Sequence, residues 1–136
     1  MTKPSTRIVT YAGLVHPWMC DAMRHLNVRH YVAMFDDASF QLLGRVAGKD
    51  PDPDGWADVR MEVDYLQELP AGKLITVRSH VEELGTSSLR YKHWMHGSID
   101  DQLHATMSVV SVRFDLSERR KRPLTADERA NALSLV

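Results

Sequence analysis

Two periodicities divide the chain. Val28, Tyr31, Val32, Phe35, Ala38, Leu42 and Val46 follow steps of three and four, while Arg29, Asp36, Asp37, Gln41 and Arg45 lie off that stripe. This predicts one long internal helix, with Asn27 placed to cap its start and Gly48 to end it. Elsewhere the period is two. Residues 7–15, RIVTYAGLV, set Val9, Tyr11 and Val15 on one side of an extended chain with Gly13 between them, and His16-Pro17 breaks the run. Val59, Met61, Val63 and Tyr65 alternate with Arg60, Glu62 and Asp64, Ile75, Val77 and Val81 with Thr76, Arg78 and Glu82, and Leu89, Tyr91 and Met95 with Arg90 and Lys92. The last run, Leu103 to Leu116, keeps odd positions apolar through Val109 and then changes phase to Val110, Val112, Phe114 and Leu116, which predicts a β-bulge there.

Short turn segments at Pro70-Ala71-Gly72, Gly85-Thr86-Ser87 and Asp100-Asp101 suit antiparallel neighbours. An acidic turn-rich loop, KDPDPDG, occupies residues 49–55, and TADE at 125–128 has the form of a capping box opening a short C-terminal helix. The order strand, helix, four strands predicts an α+β fold in which one antiparallel sheet packs on a single helix. The second face and the edges of such a sheet favour a dimer or higher oligomer.

With 136 residues the chain is expected to form one domain, 1–136. Apolar content of 43%, charged content of 26% and a formal charge of −1 indicate neither disorder nor a field suited to nucleic acid. A single cysteine, Cys20, allows no internal disulfide and fits a reducing cytoplasm. The first residues lack the apolar centre of an export signal, and no run approaches the ~20 apolar residues of a membrane span. Seven histidines offer no H-E-x-x-H, and His93 and His96 on one strand would face opposite ways, so no metal site is expected.

The chemistry concentrates in residues 20–39, where Asp21, His25, Asn27 and Tyr31 surround the helix entrance. This stretch, Asp21-Ala-Met-Arg-His25-Leu-Asn27, then Tyr31, then Phe35-Asp-Asp-Ala38, resembles the D-x-x-G-H-x-N…Y…F-x-x-A signature of hotdog-fold acyl-CoA thioesterases, the 4-hydroxybenzoyl-CoA thioesterase-like family. Val63-Asp-Tyr-Leu-Gln-Glu-Leu-Pro-Ala-Gly72, Glu83 to Leu89, and Val110-Ser-Val-Arg-Phe-Asp115 extend the likeness over residues 7–130. Arg24 departs from it, standing where the motif has Gly.

The resemblance implies a long central helix wrapped by a curved five-stranded antiparallel sheet, with active sites at the interface of a homodimer or homotetramer. It implies Asp21 as general base or nucleophile on the thioester carbonyl, and the backbone N–H of Val28 as oxyanion donor. His25 and Asn27 are candidates to orient Asp21 or the water, although loop hydrogen bonding, and for Asn27 a plain N-cap, account for them as well. Trp18 and Tyr31 are candidate substrate contacts, beside Trp56, Trp94 and Tyr91, for which core packing is an equal explanation. The basic run Arg119, Arg120, Lys121 and Arg122 reads either as a solvated charge run or, by the resemblance, as a site for coenzyme A phosphates; nucleic-acid contact fits it poorly. Asp36 and Asp37 read as an exposed helical face. The implied reaction needs no metal or redox cofactor, only the coenzyme A thioester as substrate. Two alternatives stand beside it: a hotdog protein that binds acyl-CoA or an acyl carrier without turnover, motivated by Arg24, and a hydratase or dehydratase on the same fold.

Overall fold

A computed structural model describes residues 7–136; residues 1–6, read above for the absence of an export signal, lie outside it. Strand β1 (Ile8–Leu14) and a 3-10 turn (Pro17–Met19) lead to helix α1 (Val28–Ala47). There follow β2 (Gly55–Tyr65), β3 (Leu74–Leu84), β4 (Ser88–Gly97), β5 (Leu103–Asp115), a two-residue β6 (Arg120–Lys121) and α2 (Ala126–Leu133). All described pairings are antiparallel, in the order β1-β3-β4-β5-β2, with β6 added to the far end of β5. The five long strands and both helices match the expectation; β6 is an addition made by part of the basic run.

Helix α1 begins and ends where the sequence places it. The Asn27 side chain accepts the Arg29 N–H at 3.0 Å, and Gly48 closes the helix at φ 69°, a left-handed conformation that glycine adopts without a Cβ clash. The buried stripe of Tyr31, Met34, Phe35, Ala38, Leu42 and Val46 packs on Ile75, Val77, Val81, Leu89, Tyr91, Met95 and Met107. Helix α1 lies over β1 and β3 and against α2. It leaves the same face of the sheet open over β2, where Met61 is 41% and Tyr65 48% exposed. No helix among the described residues is long and apolar enough to cross a membrane.

Three details differ from the sequence reading. In β1 the core-facing residue is Thr10, fitted by a bulge, while Val9 is exposed. The phase change in β5 is not a bulge in that strand: Val109, Ser111 and Arg113 stay on the buried face, and Val110, Val112 and Phe114 face outward. The irregularity at that level lies in β2, at Val59, and the bulge in β5 falls at His104 instead. Inward polar residues are tolerated because they are bonded. Arg113 is held by Glu128, Asp52 and the Gly55 carbonyl, and Glu128 also takes Arg122 while completing the capping box with Thr125.

A second polar chain crosses the apolar core. Thr10 donates to the Val77 carbonyl, so Thr10 Oγ1 accepts from Ser79 at 2.7 Å. Ser79 Oγ then accepts from His93 Nδ1, and Ser39 donates to His93 Nε2 at 2.8 Å. His93 is therefore neutral, and burial pulls its pKa from 6.5 down to about 3. Between those values the unfolded chain binds a proton that the folded chain does not, so stability rises with pH up to about 6.5 and falls below it. Urea titrations are expected to show a loss of about 2 kcal/mol between pH 7 and pH 5 from this group. That part of the slope should vanish in His93→Gln; an unchanged slope would remove His93 as its source.

Candidate active site at the helix entrance

Residues 20–27 form a closed loop that delivers the chain to α1. Asp21 N–H donates to the His25 carbonyl at 3.0 Å, Arg24 N–H to the Asp21 carbonyl at 2.9 Å, and Cys20 bridges Leu26. Two outside segments clamp this loop. Asn27 N–H donates to the Met19 carbonyl and Leu26 N–H to the Leu69 carbonyl, while His25 pairs with Pro70. The turn after β2 thus holds the loop that carries Asp21.

Asp21 is exposed, and its Oδ1 accepts the Met23 N–H at 2.9 Å, which leaves Oδ2 facing solvent. His25 Nε2 lies 3.0 Å from Glu68 Oε2. Asn27 acts as the N-cap through Arg29, so its side-chain oxygen is committed to the helix. The Val28 N–H, first of the helix, has no acceptor among the described residues and sits on a 57% exposed residue. A carboxylate oxygen and a helix amide carrying partial positive charge therefore share one exposed entrance.

Trp18 stands beside them, 70% exposed, its ring stacked on His16 at 6.1 Å and edge-on to His30 at 5.3 Å. Tyr31 points inward instead: it is buried, edge-on to Tyr65 at 5.1 Å, and burial with the nearby Tyr65 and Glu68 pushes its pKa up to about 12. Trp94 and Tyr91 are likewise packed in, Trp94 beneath the Arg7 guanidinium on the outer sheet face and Tyr91 in the core.

The basic run is elsewhere. Lys121 pairs with Phe114, which pairs on its other side with Gly55 just past the end of α1, so the run lies at the opposite end of a helix about 30 Å long. Arg122 is not part of a solvated run: it is bound to Asp54 at 2.9 Å and to Glu128 at 2.9 Å, leaving Arg119, Arg120 and Lys121 exposed.

Sequence reasoning missed two contributors. Glu68 carries no signal beyond its place in the ELPAG turn, since its partner is 43 residues away. Asp58 reads as an ordinary strand charge, yet it accepts the Ser111 hydroxyl at 2.6 Å, and Ser111 accepts from Tyr91. Asp58 and Asp36 line a cleft of about 860 Å³ between α1 and β2, together with Ser39, Phe40, Leu43 and Trp56. Burial, then the neighbouring Asp58 and Asp37, raise the Asp36 pKa above the usual carboxylate range. The exposed helical face read from Asp36 and Asp37 is thus one wall of a cleft.

A family model described as the thioesterase-like superfamily matches residues 15–132. The chain belongs to that superfamily. Among curated proteins none matches. Solved structures share the architecture. A predicted thioesterase from Bacillus stearothermophilus superposes with a TM-score of 0.80 at 22% identity, covering 93% of this chain and 96% of that one. A 1,4-dihydroxy-2-naphthoyl-CoA thioesterase from Synechocystis gives 0.77 at 17% identity, covering 93% and 96%. A Staphylococcus aureus protein solved in complex with CoA gives 0.81 at 15% identity, covering 96% and 85%. The protein has the hotdog fold of these structures.

Within this superfamily member, Arg24 holds φ 67°, the left-handed conformation that favours glycine. The loop therefore takes at Arg24 a backbone that glycine would adopt without strain, and tolerates the side chain. Relief of that strain, less the greater freedom of glycine in the unfolded chain, predicts that Arg24→Gly gains up to about 1 kcal/mol. A higher unfolding midpoint in thermal denaturation is the expected result; a lower one would mean that the guanidinium contributes contacts to the fold.

Proposed function

We propose that the protein hydrolyses an acyl-CoA thioester, with Asp21 as the attacking or base carboxylate and the Val28 N–H as oxyanion donor. The observation that carries this reading is the presence at one exposed entrance of a carboxylate oxygen and a helix amide that have no hydrogen-bond partner among the described residues. Superfamily membership supports it. In the base route Asp21 takes a proton from water as the oxygen adds to the carbonyl carbon, and negative charge on the carbonyl oxygen is met by the amide end of α1. Collapse re-forms the C=O bond, breaks the C–S bond and releases coenzyme A as a thiolate, which takes up the proton.

The exposed apolar residues of β2, Val59 at 61%, Met61 at 41% and Tyr65 at 48%, support a second copy pairing along this edge strand. Antiparallel pairing about a two-fold axis would set the Gly55 end of one β2 beside the Tyr65 end of the other. Arg119, Arg120 and Lys121 of one copy would then approach the Asp21 entrance of its neighbour, where they suit the phosphates of coenzyme A. This reading reconciles a basic run and a carboxylate that lie at opposite ends of one chain.

Free-thiol release from a panel of acyl-CoA esters tests the chemistry. Asp21→Asn is expected to lower kcat by about 10² or more, and equal rates in the two proteins would remove Asp21 from the mechanism. Met61→Glu tests the assembly: sedimentation should shift toward the monomer, with thiol release falling in parallel. Full activity in a monomeric variant would show that one copy holds a complete site. Tight binding of acyl-CoA without any thiol release would favour the binding-protein alternative.

A further inference from the structure

The bulge in β5 turns both polar groups of His104 toward the segment that clamps the Asp21 loop. His104 has no partner in β4, because Met95 pairs with Ala105 and His96 with Leu103. Its carbonyl instead receives the N–H groups of Leu66 at 2.8 Å and Gln67 at 3.1 Å. Its ring is hydrogen-bonded through Nδ1 to the Gln67 carbonyl at 3.2 Å, and a carbonyl oxygen only accepts, so Nδ1 carries the proton of that bond. Nε2 is left buried with no partner among the described residues, on a side chain only 2% exposed. An orphaned buried nitrogen is a cost that an apolar side chain of similar size would avoid, so packing does not account for a histidine here. What the ring supplies in return is the Nδ1–H bond.

We propose that His104 is a positioning residue that sets the turn at 66–70 and, through it, the loop that carries Asp21. Three hydrogen bonds to one bulged residue fix the backbone at Leu66 and Gln67, where the chain leaves β2. Just beyond, the Leu69 carbonyl receives the Leu26 N–H at 2.8 Å, Pro70 bridges His25, and the His25 carbonyl receives the Asp21 N–H at 3.0 Å. A turn released at Gln67 would carry this ladder with it and shift Asp21 relative to the Val28 amide, which the Asn27 cap and α1 hold separately. The catalytic part of this inference rests on the hydrolase reading; the coupling of ring to loop does not.

¹⁵N NMR of the wild type should show the His104 ring proton on Nδ1, and a proton on Nε2 alone would overturn the proposal. His104→Asn sets an amide N–H close to the place of Nδ1, whereas His104→Leu keeps bulk and loses the donor. In His104→Leu, kcat for thiol release should fall about tenfold with KM changed less than about twofold, and His104→Asn should recover most of that loss. Hydrogen exchange at the Leu26 and Asp21 amides should quicken about tenfold in His104→Leu, with Ala38 and Met95 exchanging as in wild type. Wild-type kcat and exchange in His104→Leu would overturn the proposal, and so would equal quickening at Ala38 and Met95, which would make the residue one of general stability. If His104→Leu fails to fold, the wild-type ring proton and a His104→Asn variant matching wild type in Leu26 exchange carry the decision. A wild-type protein that releases no thiol removes the hydrolase reading, while exchange at Leu26 and Asp21 still decides whether His104 sets the loop.

Discussion

A helix cannot bond its own first amides, and the entrance of α1 is arranged around how that constraint is met. At the entrance of α1, Asn27 satisfies Arg29, the Asn27 carbonyl receives His30, and the Val28 amide is left facing outward. The apolar face of α1 is sealed on the sheet by residues such as Phe35, Ala38 and Leu42, so its end cannot drift. The loop before it is closed on itself and tied to Leu69 and Pro70. The Asp21 carboxylate and the Val28 amide, which has no acceptor among the described residues, are therefore held on a fixed loop.

The core holds several buried polar side chains, and their hydrogen bonds are ordered. The chain from His93 through Ser79 to Thr10 ends on the Val77 carbonyl, and that from Tyr91 through Ser111 ends on Asp58. Each hydroxyl has a single consistent direction because a carbonyl or a carboxylate fixes the end. Buried polar groups are costly when unpaired and specifying when paired. Here they tie β1, β3, β4 and, through Ser39, the middle of α1 into one arrangement, while Asp58 is turned toward the cleft beside Asp36. Arg113, Glu128 and Arg122 do the same at the other end of the helix, where they join β5, the 49–55 loop and α2.

Coverage of the sheet is uneven. Helix α1 shields β1 and β3 but leaves the inner face of β2 open, so the apolar residues of β2 form a surface and the space beside α1 becomes a cleft. The open face lies along the edge strand β2, beside the helix rather than beneath it.

Local order was legible in the sequence because local forces set it. The spacing of Val28 to Val46, the Asn27 cap, the Gly48 stop, the Thr125 capping box and the alternation of the four later strands depend only on neighbours along the chain. The motif from Asp21 to Asn27 marked the entrance through its resemblance to a family signature. What stayed hidden depends on residues distant in sequence. Alternation in β5 pointed to a bulge at Val109, but Ser111 and Arg113 remain inside because Tyr91, Asp58 and Glu128 are waiting for them, and no pattern within the strand carries that information. The run at 119–122 looked uniform until Asp54 and Glu128 claimed Arg122. Glu68 became part of the Asp21 loop only when β2 turned back across it. Sequence alone determined the elements and the chemical inventory, since both are fixed by short-range sterics and side-chain type; tertiary structure decided which polar groups were committed to one another and which were left free, since that is settled by partners the chain brings together only on folding.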